Sequence, residues 1–188
     1  KRRVQRKEGK AKKYTAGKSV HTRPASIESR REFGHFEVDT VGSGRKGTGC
    51  VFTIVERKTR MLFACRAESC TAENFYNTLK KLIKILPPGT IKSLTGDRGK
   101  EFAWYQKIES ELRIPFYFAD PHSPWQKGSN ENTNGLLREN FPKRTNFSTV
   151  CQRDLYWKGV YRINNRPRKV LGWKTAQECF AEELRNSA

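Results

Sequence analysis

Long hydrophobic runs are missing from this 188-residue chain. No stretch of eighteen apolar residues occurs, which excludes a membrane-spanning helix, and no signal-peptide pattern is visible. The chain begins with Lys1 and not with an initiator methionine, which predicts a fragment of a longer protein. Cysteine is scarce. Cys50, Cys65, Cys70, Cys151 and Cys179 are odd in number and form no CxxC pair. That argues against a disulfide framework or a zinc site, and for a reducing compartment such as the cytoplasm. Negative charge is the other shortage, with 19 acids against 38 Lys and Arg and a formal net charge of +19. A chain so charged suits a polyanionic partner, nucleic acid before an acidic membrane surface.

The charge is uneven. Residues 1–31 hold twelve Lys/Arg and two Glu, a net of +10, and lack apolar periodicity. They read as a flexible basic arm that tracks phosphates, or as a linker to another domain. Residues 32–165 read as one folded core, and residues 166–188 as a basic connector followed by a short helix that packs on it.

From Gly34 the pattern turns strand-like. In "GHFEVDTV", Phe36 and Val38 alternate with His35, Glu37 and Asp39, so the three polar residues share a face. "CVFTIVERK" and "MLFACRAES" complete three consecutive antiparallel strands. Thr71 is placed to cap a helix that Pro87-Pro88 stop. "IKSLTGD" and "IPFYFAD" read as short strands, separated by a helix with Phe102, Tyr105, Ile108 and Leu112 on one face. Another helix is expected near Ser129, a further one over about Ser148 to Asn164, and Thr175 with Glu178 fits a capping box for the last. Strands with interleaved helices predict an α/β fold, a mixed sheet flanked by helices.

"GSGRKGTG" satisfies GxGxxG at Gly42, Gly44 and Gly47, but a strand follows where a dinucleotide site needs a helix. A long hairpin turn is the better reading, with Arg45 and Lys46 at its tip, placed to touch phosphates. Asp39 near the end of one strand and Asp97 at the end of another could each be a turn aspartate. Glu131 could be an ordinary first-turn acid favoured by the helix dipole. Together the three acids say more. Two strand-end carboxylates and one from a helix start can converge on a pair of divalent cations, and oxygen donors suit Mg²⁺ with Mn²⁺ as substitute. Two such ions would serve phosphoryl transfer. Glu131, Asn134, Gly135 and Arg138 share a helical face, while Leu136 and Leu137 turn toward the core. Glu37, His122 and Asn134 are candidates to support the acids. Lys127, Arg138, Lys143 and Arg144 are candidate phosphate contacts or a solvated basic surface, and Trp125 packs its loop or stacks on a base.

Asp97 and Glu131 are 34 positions apart. With this spacing, "HTRPASIESRREFGHFEVDTV", "GDRGKEF", "DPHSPWQKGSNENTNGLLRENFPK" and "NNRPRKVLGWKT" resemble, in order over about residues 21–180, the DDE transposases of the insertion-sequence-thirty family. The resemblance implies a ribonuclease-H-like integrase core with Asp39, Asp97 and Glu131 as the catalytic, metal-holding triad and Arg138 near the cleaved bond. It implies DNA cleavage and strand transfer by a bacterial, nucleoid-associated enzyme. It also implies DNA ends and target as partners, and a homodimer or larger assembly. The family's N-terminal helix-turn-helix region has no counterpart in this sequence. The alternatives are a nuclease that cuts without joining and a domesticated DNA-binding domain that no longer works.

Overall fold

The computed structural model describes residues 17–44, 47–121 and 123–187. Its strands are β1 (Lys18–Ser19), β2 (His35–Gly42), β3 (Cys50–Glu56), β4 (Leu62–Ala67), β5 (Ser93–Gly96) and β6 (Phe116–Phe118). Its α-helices are α1 (Ala25–Glu28), α2 (Ala72–Ile85), α3 (Tyr105–Leu112), α4 (Gly128–Asn140), α5 (Gln152–Leu155), α6 (Tyr161–Asn164) and α7 (Ala176–Asn186). The described strands form one sheet in the order β1-β6-β5-β2-β3-β4. β2, β3 and β4 pair antiparallel, and β5, β6 and β1 extend the sheet in parallel from β2.

Period-two alternation sorts the side chains onto two faces. Phe36, Val38, Phe52 and Ile54 point one way and pack against Phe75 and Leu79 of α2, Ile108 of α3 and Phe180 of α7. Val41, Val51 and Val55 point the other way, toward Leu137 and Phe141 of α4 and Leu155, Val160 and Ile163. Both faces are covered, so β3 is buried along its whole length. Asp39 and Glu37 belong to the second face, the one α4 crosses.

Local chemistry sets the helix ends. Thr71 Oγ1 accepts the Asn74 N–H at 3.2 Å and opens α2. The Thr175–Glu178 capping box forms reciprocally, at 3.1 and 2.7 Å, and α7 docks through Phe180 on Phe33 and Phe63. The stretch from Gly42 to Cys50 joins two paired antiparallel strands, as a hairpin must.

Three expectations are corrected. Phe102 is not on the same helix as Ile108. It sits in a separate 3₁₀ turn, Lys100–Phe102, because Trp104 adopts a non-helical backbone before α3. The helix placed over 148–164 begins only at Gln152, where Cys151 caps it, and it passes from α5 to α6 through a π turn, Tyr156–Val160. Gly159 explains the close fit of that turn, since a Cβ there would lie 2.8 Å from Leu137 Cδ1. Finally, the described part of the basic arm is not free of the core. Lys18–Ser19 adds a strand beside β6, and both Arg23 and Ile27 are buried. Apolar periodicity could not reveal this, because one anchor is an apolar residue standing alone and the other is an arginine.

Candidate active site

Asp39 comes from β2 and Asp97 from the residue just past β5, and these strands are adjacent and parallel. Their carboxyl ends therefore open on the same side, where ligands gather in α/β sheets. Gly96 permits the tight exit. A Cβ there would lie 2.9 Å from Phe116 Cζ and 3.0 Å from Val38 Cγ2.

Each acid is held. Asp39 Oδ2 accepts from Asn134 Nδ2 at 2.9 Å, and Asn134 Oδ1 in turn accepts from Thr53 Oγ1 at 3.0 Å. Thr53 is the register partner of Asp39 on β3, so the chain of bonds runs from sheet to helix and back to the acid. Asp97 Oδ1 accepts from the Gly99 N–H at 2.9 Å. Glu131 is exposed, lines the same cavity of about 480 Å³, and has no tie among the described residues.

Lys127 joins the two aspartates. Its Nζ lies 3.0 Å from Asp97 Oδ2 and 3.3 Å from Asp39 Oδ1, with the side chain 11% exposed. Burial opposes its charge, but Asp39 and Asp97 overcome that and hold the ammonium above the ordinary lysine range. The sequence offered Lys127 as a phosphate contact or part of a solvated basic surface; in the structure its ammonium lies between two acids. Among the described residues, no three His, Cys, Asp or Glu side chains are drawn together closely enough to hold a metal ion.

The α4 base is fixed from below. Glu37 is fully buried, and its Oε2 accepts the Asn130 N–H at 2.9 Å. Arg57 lies 3.7 Å from Glu37 Oε1 and 3.8 Å from Glu28 Oε2, and Arg23 pairs with Glu28 while donating to Thr95 Oγ1 at 3.0 Å. Burial pulls the Arg57 guanidinium down to about 10 against the pull of Glu37. Glu37 is thus a support for the helix start and does not touch the cavity.

Other candidates fare differently. Arg138 donates to the carbonyls of Gly42, at 2.7 Å, Phe141 and Pro142, and its guanidinium lies over the Phe147 ring. It is half-buried and clamps the end of β2 to the end of α4. Lys143 and Arg144 are exposed, and their backbone lies against Gly44, where a Cβ would be 3.0 Å from Arg144 Cα. Arg45, Lys46 and His122 lie outside the described residues. Trp125 is 70% exposed and packs no core.

Sequence reading missed Asp120, which also lines the cavity. It accepts from Gln126 Nε2 at 2.9 Å and contacts His21 Nε2 at 2.6 Å, and these bonds hold its carboxyl below the usual range. Asp120 closes β6 as Asp97 closes β5, which was the available signal.

Strand-end acids on a six-strand ribonuclease-H-like core, with a third acid on a helix crossing the sheet, define an integrase-type catalytic core. The comparisons agree. Residues 29–124 match the integrase core domain model. The transposase InsI of insertion sequence element IS30A from Escherichia coli (strain K12) is 40% identical over 164 residues, 87% of this chain and 42% of that protein. The transposase of IS4351 from Bacteroides fragilis is 34% identical over 172 residues, 90% and 51%. The catalytic core of BIV integrase superposes with a TM-score of 0.65 at 16% identity, covering 83% of this chain and 99% of that one. The chain belongs to the integrase core domain family and is similar along most of its length to insertion-sequence transposases. It spans about half the length of the curated relatives it matches.

Proposed function

We propose that this chain is the catalytic core of a DNA transposase, which cuts and joins strands by phosphoryl transfer with divalent metal. The observation that carries the reading is that Asp39 and Asp97 already share one cation, the Lys127 ammonium, in a cavity that Glu131 also lines. A site that stabilises a buried ammonium between hard oxygen donors suits Mg²⁺ or Mn²⁺. Asp39, Asp97 and Glu131 are the residues that would hold the metal, as a pair of ions. When bound, the metal supplies Lewis-acid activation of the attacking oxygen and charge stabilisation at the leaving oxygen.

The chain's own residues prepare this. Asn134, aligned by Thr53, fixes one oxygen of the Asp39 carboxylate, while the other accepts from the Thr40 N–H and faces the Lys127 ammonium. The Gly99 N–H orients Asp97. Glu37 holds the first turn of α4, so Glu131 is delivered from a fixed base while its own side chain stays free to turn inward. Lys143 and Arg144, exposed beside the hairpin, supply positive potential for the DNA backbone.

DNA ends and target are the proposed substrates, and two ends call for a homodimer or larger assembly at the bacterial nucleoid. Among the described residues, no helix is long and apolar enough to cross a membrane. The test is strand transfer with pre-cut ends in Mg²⁺, run beside strand nicking. Asp39→Asn, Asp97→Asn and Glu131→Gln are each expected to lose both activities while keeping most DNA binding. Full activity in any one sinks the assignment. Nicking without joining would convert it to a nuclease.

A further inference from the structure

A second cavity lies against α4, of about 450 Å³, lined by Arg30, Arg60, Arg166 and Arg168 with Ser129 and Asn132. No acid lines it. At 100° per residue, Lys127, Glu131 and Asn134 cluster on one flank of α4, and Gly128, Asn132 and Leu136 on another, roughly 140° away. The acid cavity and the arginine cavity thus sit on two flanks of one helix.

The arginines are brought in at some cost. Arg30 and Arg60 both have left-handed backbone, φ 56° and 64°, which side-chain-bearing residues rarely adopt. Arg60 is pinned, donating to Ser129 Oγ at 2.8 Å and to the Arg57 carbonyl. Arg168 donates to the Ile163 carbonyl at 3.2 Å from a loop closed by Arg168 N to Lys174 O and Trp173 N to Arg168 O. Arg30 lies over the first turn of α4, where a Cβ at Gly128 would be 3.4 Å from its Nη2. Among the described residues, neither Arg30 nor Arg166 has an ion-pair or hydrogen-bond partner for its guanidinium. Burial, then the other arginines, lower the pKa of Arg60 and Arg168, although the buried Glu37 and Glu56 behind Arg60 act the other way. Glu56 is engaged by Thr59 and the Gly34 N–H, and Glu37 by Asn130. Gathered guanidinium groups with planar forks and no acid between them fit a phosphate.

We infer that the arginine cavity binds a backbone phosphate of the DNA, a few nucleotides from the phosphate that reacts at the acids. An α-helix is about 10–12 Å across, so the separation is on the order of a few nucleotides of one strand. The strand crosses α4 at Gly135, where a Cβ would meet nothing within 4 Å. This rests on the transposase reading.

The test uses the full 188-residue chain, a duplex oligonucleotide and inorganic tripolyphosphate, with binding measured across a salt series. Arg30→Gln/Arg166→Gln is compared with Lys80→Gln/Lys84→Gln, which removes equal charge from exposed positions on α2. The arginine variant is expected to bind DNA several-fold more weakly, with a log K against log salt slope shallower by about 1 to 2. The lysine variant should keep the slope, and Mn²⁺ binding should persist in both. Phenylglyoxal labelling of Arg30 and Arg166 should fall when DNA is bound. If the arginine variant binds DNA like the parent, or the lysine variant loses as much, the cavity assignment falls and the transposase reading stands. If the parent binds tripolyphosphate through these arginines but no duplex, or binds neither, both fall.

Discussion

On one flank of α4 an ammonium lies between two carboxylates; on another, four guanidinium groups gather with no acid among them. The acid flank is internally compensated, because Lys127 offsets much of the repulsion that would part Asp39 from Asp97. The arginine flank is not, and its like charges are held together by backbone, through Arg60, Arg168 and two left-handed residues. A compensated site can wait for its cation without distorting the fold. An uncompensated one holds an electrostatic preference for an anion that only a ligand satisfies. The same helix supports both, anchored by Leu137 below and by Glu37 at its start.

Removing the acids should break the comparison most. Asp39→Asn is expected to lower strand nicking on the order of 10³-fold, since metal stabilisation of several kcal/mol is at stake and each 1.36 kcal/mol is tenfold. Quantified nicking on a labelled duplex reads this out. Leu137→Ala removes a fully buried side chain beneath both flanks and should cost about 2–5 kcal/mol in urea unfolding. Unchanged stability would mean that α4 is not anchored there. Asn134→Ala frees the Asp39 carboxylate and should weaken Mn²⁺ binding by roughly 10- to 100-fold in calorimetry, the usual cost of losing a group that orients a ligand. Lys127→Met works in the opposite direction. Without the competing ammonium, Mn²⁺ should bind about tenfold more tightly, and a weaker ion would show that Lys127 holds the acids in place more than it competes.

The smallest effect concerns pH. His35 is buried on β2 with Nδ1 2.7 Å from Ser93 Oγ, and burial holds its pKa below the ordinary value despite Glu32. The unfolded chain therefore binds the proton first. Stability is full above about pH 6.5 and declines below it until the folded histidine also titrates. His35→Asn should flatten that part of the curve in denaturant titrations at successive pH values.

Much of this was legible from residue order. Alternation in "GHFEVDTV" put Phe36 and Val38 in one layer and Asp39 in the other, because side-chain period is a local property of a strand. The pair Asp97 and Glu131 could be singled out for the same reason, each ending or beginning an element. What stayed hidden was long-range. Nothing near Lys127 in sequence says that its stem reaches back to strand-end acids thirty and eighty-eight positions earlier, and Arg138 looks like a surface base until the Gly42 carbonyl is found beside it. Arg23, Glu28 and Arg57 read as ordinary charges, yet Arg23 and Arg57 are buried, both reach the exposed Glu28 carboxylate, and Arg57 also lies beside the buried Glu37.

The gap at Gly159, too narrow for one methyl group beside Leu137, has a mechanical meaning. It seats α4 like an axle in a bearing. Turning the axle would carry one flank toward its ligand and the other away, so a rotation of the helix cannot adjust one cavity alone.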